Sequence, residues 1–230
     1  MKEILANSVF FGAFVSLAGY QLGIILKKKY GWAILNPLLV AVVMVIGLLV
    51  VIGIDYETYN NSAKYLSYFL TPATVCLAIP LYQQLELLKS NWVAIMVGLI
   101  AGAIASLGSV LGLAVLFQFS HAEYVTFLPK SITTAIAIGI TEELGGMVTI
   151  AVASIIITGI FGNIVAEGVC KLFRIKHPIA KGLAIGASSH AVGTAKALEM
   201  GEIEGAMSSL AIAVTGLITV VGASVFATFY

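Results

Sequence analysis

Residues 92–117 read WVAIMVGLIAGAIASLGSVLGLAVLF, without one charged side chain. A helix rises about 1.5 Å per residue, so about 20 apolar residues cross the hydrocarbon of a bilayer. This run is long enough, and nothing in it stops a helix. Four more segments have the same character: Ser8 to Leu26, Trp32 to Ile54, Met147 to Cys170 and Ala206 to Phe229. The whole chain agrees with them. Of its 230 residues 60% are hydrophobic and 10% charged, with a mean hydropathy of +1.06. Soluble domains run nearer about 45–50% apolar and about 25% charged, so this chain has too few charges for a water-facing surface. Its net charge of +1 gives no basic face for nucleic acid. The loops are too short for a separate soluble domain. The expectation is an all-α polytopic membrane protein in one transmembrane domain, residues 1–230.

Three further stretches are apolar but interrupted: Tyr65 to Tyr82, Phe127 to Gly146 and Pro178 to Met200. That makes about eight apolar segments, some of them broken or re-entrant. Breaks at membrane depth survive only where protein or a water-filled cavity satisfies the freed backbone groups. The interrupted stretches should therefore line the interior, with the smooth helices as scaffold. Aligning Pro72 with Pro129 also pairs Thr74 with Ser131, Ala78 with Ala135 and Glu86 with Glu143. This is a weak internal repeat. Interrupted segments at corresponding positions point to a transporter's substrate site; chance similarity between two apolar runs is the alternative. The pairs Gly19/Gly23, Gly98/Gly102 and Gly108/Gly112 have the spacing that lets helices approach closely in lipid.

Positive charge is dense at Lys27 to Lys29 and again in residues 171–177, KLFRIKH. The positive-inside rule places both loops in the cytoplasm and the N-terminus outside. Lys2 and Glu3 cancel, and the positive charge follows the first apolar core rather than preceding it, so no cleavable signal peptide is read. Three smooth helices lie between the two loops. An even number of crossings then requires one, and only one, of the stretches 65–82 and 127–146 to cross, while the other re-enters on its own side.

The interrupted stretches carry the candidate chemistry. Residues 70–82 hold Pro72, Pro80 and Thr74. Residues 128–135 read LPKSITTA. Pro129 suits the first turn of a helix, whose free N–H groups and dipole favour an anion. Lys130 adds a full charge, and Ser131, Thr133 and Thr134 add hydroxyl donors. Together they could hold a carboxylate. The competing reading is an edge lysine that reaches water, with hydroxyls bonded back to the helix. Residues 186–195 read GASSHAVGTA, where His190, with Ser189 and Thr194, is a titratable group among small residues. A neutral histidine hydrogen-bonded within the bundle is the alternative. Glu142 and Glu143 read as interfacial. Cys76 and Cys170 lie at or within apolar segments, make no C-x-x-C pair and read as buried thiols. No catalytic pair emerges: neighbours such as Ser189 and His190 point about 100° apart on a helix, and no G-x-S-x-G elbow or metal-ligand spacing exists. No cofactor is implied.

These stretches, together with residues 35–41 (LNPLLVA), 181–184 (KGLA) and 204–210 (EGAMSSL), resemble the LrgB/CidB family of bacterial inner-membrane proteins. The resemblance covers nearly the whole chain, and residues 196–200 (KALEM) lean towards its CidB-like branch. It implies one of two activities. One is a holin/antiholin-like regulator of murein hydrolase activity and lysis, working with a small LrgA/CidA-type membrane partner. The other is transport of small monocarboxylates such as pyruvate, glycolate or glycerate. The residues alone supply only a small anion; the resemblance supplies the substrate class. No LrgA-like half is fused to this sequence, so a separate partner is implied, as is a homo-oligomer in the bacterial cell membrane. The expected site is Lys130, Ser131, Thr133 and Thr134 on the carboxylate, faced by Thr74, and completed by Ser189, His190 and Thr194.

Overall fold

The computed structural model describes residue 8, residues 10–32 and residues 34–230, and for Leu70, Thr71 and Thr74 the backbone alone. The charge balance at Lys2 and Glu3 lies outside the described residues. Those described are helical or in turns, with no strand among them. They divide into two compact units that meet in sequence between Cys76 and Leu77.

In the first unit, helix α1 (Phe11–Tyr30) packs on α2 (Pro37–Ile52). The turn between them is written in the sequence. Gly31 ends α1 at φ 68, a left-handed conformation that glycine adopts without a Cβ penalty. Asn36 opens α2 by accepting from the N–H groups of Leu38 and Leu39, and Pro37 follows at the first helical position. Gly19 and Gly23 let the helices close: a Cβ on Gly23 would sit 2.6 Å from the Pro37 Cα. Helix α3 (Tyr56–Ala63) covers the start of α1, where Ser62 Oγ accepts from the Gly12 N–H at 2.7 Å. A 3₁₀ turn (Lys64–Phe69) and helix α4 (Leu70–Cys76) follow. Cys76 is exposed, against the buried thiol expected; Cys170 is buried as expected.

The second unit opens with two short helices, α5 (Ala78–Gln83) and α6 (Leu85–Ser90). The interrupted stretch 65–82 is thus divided into short pieces, as expected, but Pro72 and Pro80 lie inside them and not at the breaks. Helix α7 (Trp92–Phe117) is the uncharged run. After it come α8 (His121–Phe127), α9 (Thr134–Glu143), α10 (Val148–Leu172), α11 (Pro178–Met200) and α12 (Glu202–Ala227). Among the described residues, α7, α10 and α12 are the helices long and apolar enough to cross a membrane; α2 is shorter but apolar.

Helix α11 is not straight. His190 sits at φ 42, ψ −142, and the chain reverses there. Before the break, Gly182 and Gly186 press on α12 so closely that a Cβ on either would overlap the backbone oxygen of Glu204 or Ser208. The first arm, 178–189, therefore runs parallel to α12. After the break, Thr194 meets Ser208 and Leu198 meets Gly205, so the second arm, 191–200, runs back. Ile185 and Ala197 share one buried cluster, which a continuous helix would hold some 18 Å apart. Both roots lie at one end of the bundle: Lys181 pairs with Glu204 at 3.7 Å, and Lys196 pairs with Glu167, near the end of α10, at 2.6 Å.

Another hairpin, the first in chain order, enters from the opposite end. His121 Nδ1 lies 3.3 Å from the carbonyl of Tyr230, beyond α12. The chain descends through α8 to a turn at 128–133, where Ser131 reaches Ser106 midway along α7. It climbs back through α9 to the start of α10, where the Met147 N–H donates to Thr126 Oγ1 at 2.8 Å. The stretch 127–146 is thus the one that returns to its own end. Its helix starts at Thr134, with Thr133 as N-cap; Pro129 lies in the turn and not in a first helical turn. Pro72, its repeat partner, sits inside α4, so the two copies differ in local structure. Among the described residues, Gly108 and Gly112 face open space and mark no packed interface.

Candidate functional site

The two hairpin tips converge on one cavity of about 930 Å³. It extends from Asn91 and His177 at the root end to Ser106, Lys130, Ser131 and Ser189 at the tips. The walls between are apolar or small, from Gly98 and Gly102 on α7, Phe161 and Val165 on α10, and Leu183 and Ala187 on the first arm. A turn, rather than a helix, carries Lys130 to the tip. Pro129 cannot donate to continue α8, and its carbonyl accepts from Ile132 instead. Lys130 Nζ donates to Ser131 Oγ at 3.1 Å and to Ser106 Oγ at 3.5 Å, and the two hydroxyls lie 3.0 Å apart. Among the described residues, no carboxylate lines this cavity. An ammonium beside the hydroxyls of Ser106 and Ser131, within apolar walls, has the chemistry to hold one negative charge on a small body.

The expected residues separate into groups. Lys130, Ser131 and Ser189 line the cavity together. Ser189 is reached through the bond of its hydroxyl with Ser188, at 3.1 Å. His190 and Thr194 stand behind the wall: His190 is 5% exposed. Its Nε2 donates to the Ile155 carbonyl at 2.9 Å, and Thr194 Oγ1 donates to the His190 carbonyl at 3.0 Å. Thr194 and Ser208 share a further hydrogen bond, 2.7 Å between oxygens. Thr133 and Thr134 are half-buried and lie outside the cavity lining. The side chain of Thr74 lies outside those described, and its backbone belongs to the first unit.

Five participants escaped the reading of the residues. Ser106 and Thr158 supply cavity hydroxyls from helices taken as smooth scaffold. Gly159 and Gly162 on α10 make room for the second hairpin: a Cβ on Gly159 would stand 2.5 Å from the His190 ring, and one on Gly162 would overlap the Ser189 hydroxyl. Asn163, one turn on from Gly159, donates through Nδ2 to the carbonyl of Val192 at 2.7 Å and so ties the returning arm to α10. An amide in an otherwise apolar span was the available signal. Asn163→Leu is expected to lower stability by about 0.6–1.7 kcal/mol, the range for interhelical hydrogen bonds in membranes. Thermal unfolding of the purified chain in detergent checks this; an unchanged midpoint would mean that the bond contributes nothing.

The LrgB-like family model matches residues 16–229. The antiholin-like protein LrgB of Bacillus subtilis (strain 168) is 41% identical over 220 residues, which cover 95% of each chain. Proteins of the same description from Bacillus mycoides (strain KBAB4) and Bacillus cereus (strain B4264) are 41% identical over 221 residues, 96% of each chain. No solved structure matches. With the family model spanning both hairpins and all the long apolar helices, the chain belongs to the LrgB-like family of membrane proteins.

Proposed function

We propose that the chain carries a small monocarboxylate of the pyruvate or glycolate kind across the bacterial cell membrane, together with an LrgA/CidA-type partner. The observation that carries this reading is Lys130, held in an apolar cavity between two inverted hairpin tips with no carboxylate among its described lining residues. Broken helices meeting at mid-depth are the arrangement by which transporters bind substrate with backbone and side-chain polar groups. A carboxylate would take the ammonium and the hydroxyls of Ser106 and Ser131. The methyl or methylene of the substrate would meet Gly102 and Ala187. Ser189 would close the site from the other tip, and Thr74, Thr133 and Thr134 would act in another conformation or not on substrate at all. Uptake of labelled pyruvate into proteoliposomes, with and without the partner, tests the proposal; absence of saturable uptake in both would refute it.

The second reading is a holin/antiholin-like regulator of murein hydrolase activity; the Bacillus relatives are named antiholin-like proteins. It needs no internal anion site, and the cavity gives it no support of its own.

The orientation follows from charge. The loop at 171–177 joins α10 to the root of the second hairpin, so the root end of the cavity would face the cytoplasm. Since 127–146 returns to its own end, the parity of crossings assigns the full crossing to 65–82. Single cysteines placed at residues 28 and 174 should react with a membrane-impermeant maleimide only after the cells are opened. Labelling of either one in intact cells would overturn the orientation.

A further inference from the structure

Beside the roots of the second hairpin lies another cleft, of about 610 Å³, separate from the substrate cavity. Four cations line it, Lys171, Arg174, Lys176 and Lys181, against two carboxylates, Glu167 and Glu199. Both carboxylates are engaged by Lys196, at 2.6 and 3.3 Å, and Lys181 leans on Glu204. Lys171 is within 3.8 Å of Glu167 and complements the end of α10. Arg174 and Lys176 lie beyond that helix end, where its dipole no longer reaches, and among the described residues neither has an ion-pair partner. Arg174 moreover holds φ 56 at the turn that closes α10, with the Ile175 N–H donating to the Cys170 carbonyl at 2.8 Å. That position favours glycine; the chain places a guanidinium there instead.

The surface next to this charge is apolar. Leu172 and Phe173 are 76% and 70% exposed, one and two residues before Arg174. Excess positive charge with adjoining bare hydrocarbon matches an amphiphile, not a free ion. Basic pockets between helices at the cytoplasmic face are suited to anionic headgroups, and a guanidinium takes a phosphate in bidentate fashion. We propose that this cleft binds the phosphate of an anionic phospholipid, with the acyl chains lying over Leu172 and Phe173. The contact would fix the roots of both arms of the second hairpin against α10.

The test uses the full chain in neutral detergent, offered phosphatidylglycerol, phosphatidylcholine or inorganic phosphate, with bound lipid read by native mass spectrometry. Phosphatidylglycerol should be retained in preference to phosphatidylcholine. Arg174→Gly with Lys176→Gln should weaken retention about tenfold or more, as expected for losing two surface cations. Glycine suits the left-handed turn, so the thermal midpoint should not fall, and loss of lipid cannot then be misfolding. Equal retention of the two lipids would overturn the proposal, as would undiminished retention by the double variant. Displacement of the lipid by inorganic phosphate would assign the cleft to the free ion and overturn the lipid assignment.

Discussion

Lys130→Ala abolishes saturable pyruvate uptake in proteoliposomes while leaving expression, membrane insertion and thermal stability close to wild type: this is the outcome expected of the carrier reading. The ammonium faces the cavity and, among the described residues, bonds to the hydroxyls of Ser131 and Ser106 and to no carboxylate. Removing it deletes no ion pair among them, so stability has little to lose. The bound carboxylate, in contrast, would lose its sole cationic contact in a desolvated site. Truncating one partner of such a pair costs about 2–5 kcal/mol, on the order of 30-fold or more in apparent affinity. Lys130→Arg retains the charge but replaces a compact donor by a planar fork, between hydroxyls only 3.0 Å apart; partial uptake with a raised KM is expected. Ser106→Ala, which removes a ligand and no charge, should cost less, about 1 kcal/mol. Normal transport by Lys130→Ala would return the lysine to the role of an edge residue reaching for water and would remove the main support for a carrier.

How far the sequence foretold this site depends on the physical signal each part left. Long apolar helices advertise themselves, because about 20 apolar residues have no other stable setting; α7, α10 and α12 match the expected spans to within a few residues. The interrupted stretches were legible as interrupted, from prolines and hydroxyls. Their course was not. The reversal in α11 falls at His190, which is neither proline nor glycine, and the space for it comes from Gly159 and Gly162, on a different helix. Its own sequence carries only Gly193, where a Cβ would stand 2.5 Å from that of Ser189; the rest of the space is another segment's missing side chains, which leave no mark there. The first hairpin turns around Pro129, but the helix after it begins only at Thr134, so the anion-holding first turn expected at Pro129 is a turn of another kind, with Lys130 presented from its middle. Glycine spacing also misled in both directions. Gly108 and Gly112 pack on nothing among the described residues, while Gly182 and Gly186, in the same spacing, make a close backbone approach to α12.

His190 is where backbone and chemistry make opposing demands. Its φ of 42 is a conformation that costs a residue with a Cβ roughly 1–3 kcal/mol, and the structure offsets this with the Nε2 bond to Ile155 and the Thr194 bond to its carbonyl. If the ring serves only to hold the tip, His190→Gly should be tolerated: the strain disappears, and one hydrogen bond worth about 1 kcal/mol goes with it. Stability should then stay level or rise, and transport should keep its dependence on pH. If the ring couples a proton to transport, the same variant should be as stable but should lose that dependence across roughly pH 5 to 8, where histidines titrate. His190→Gln sharpens the comparison. Its amide can still donate to the Ile155 carbonyl but cannot acquire a charge, so it preserves the tip while removing the titration. A proton-coupling role for His190 among the small residues of the tip predicts two folded variants that exchange pyruvate at a rate no longer set by pH. Exchange measured against pH in liposomes for the three proteins decides it. An unaltered profile in both variants would leave His190 as a clasp on the hairpin and move the coupling group elsewhere, with the exposed Glu142 and Glu143 at the far end of the first hairpin next to be tested.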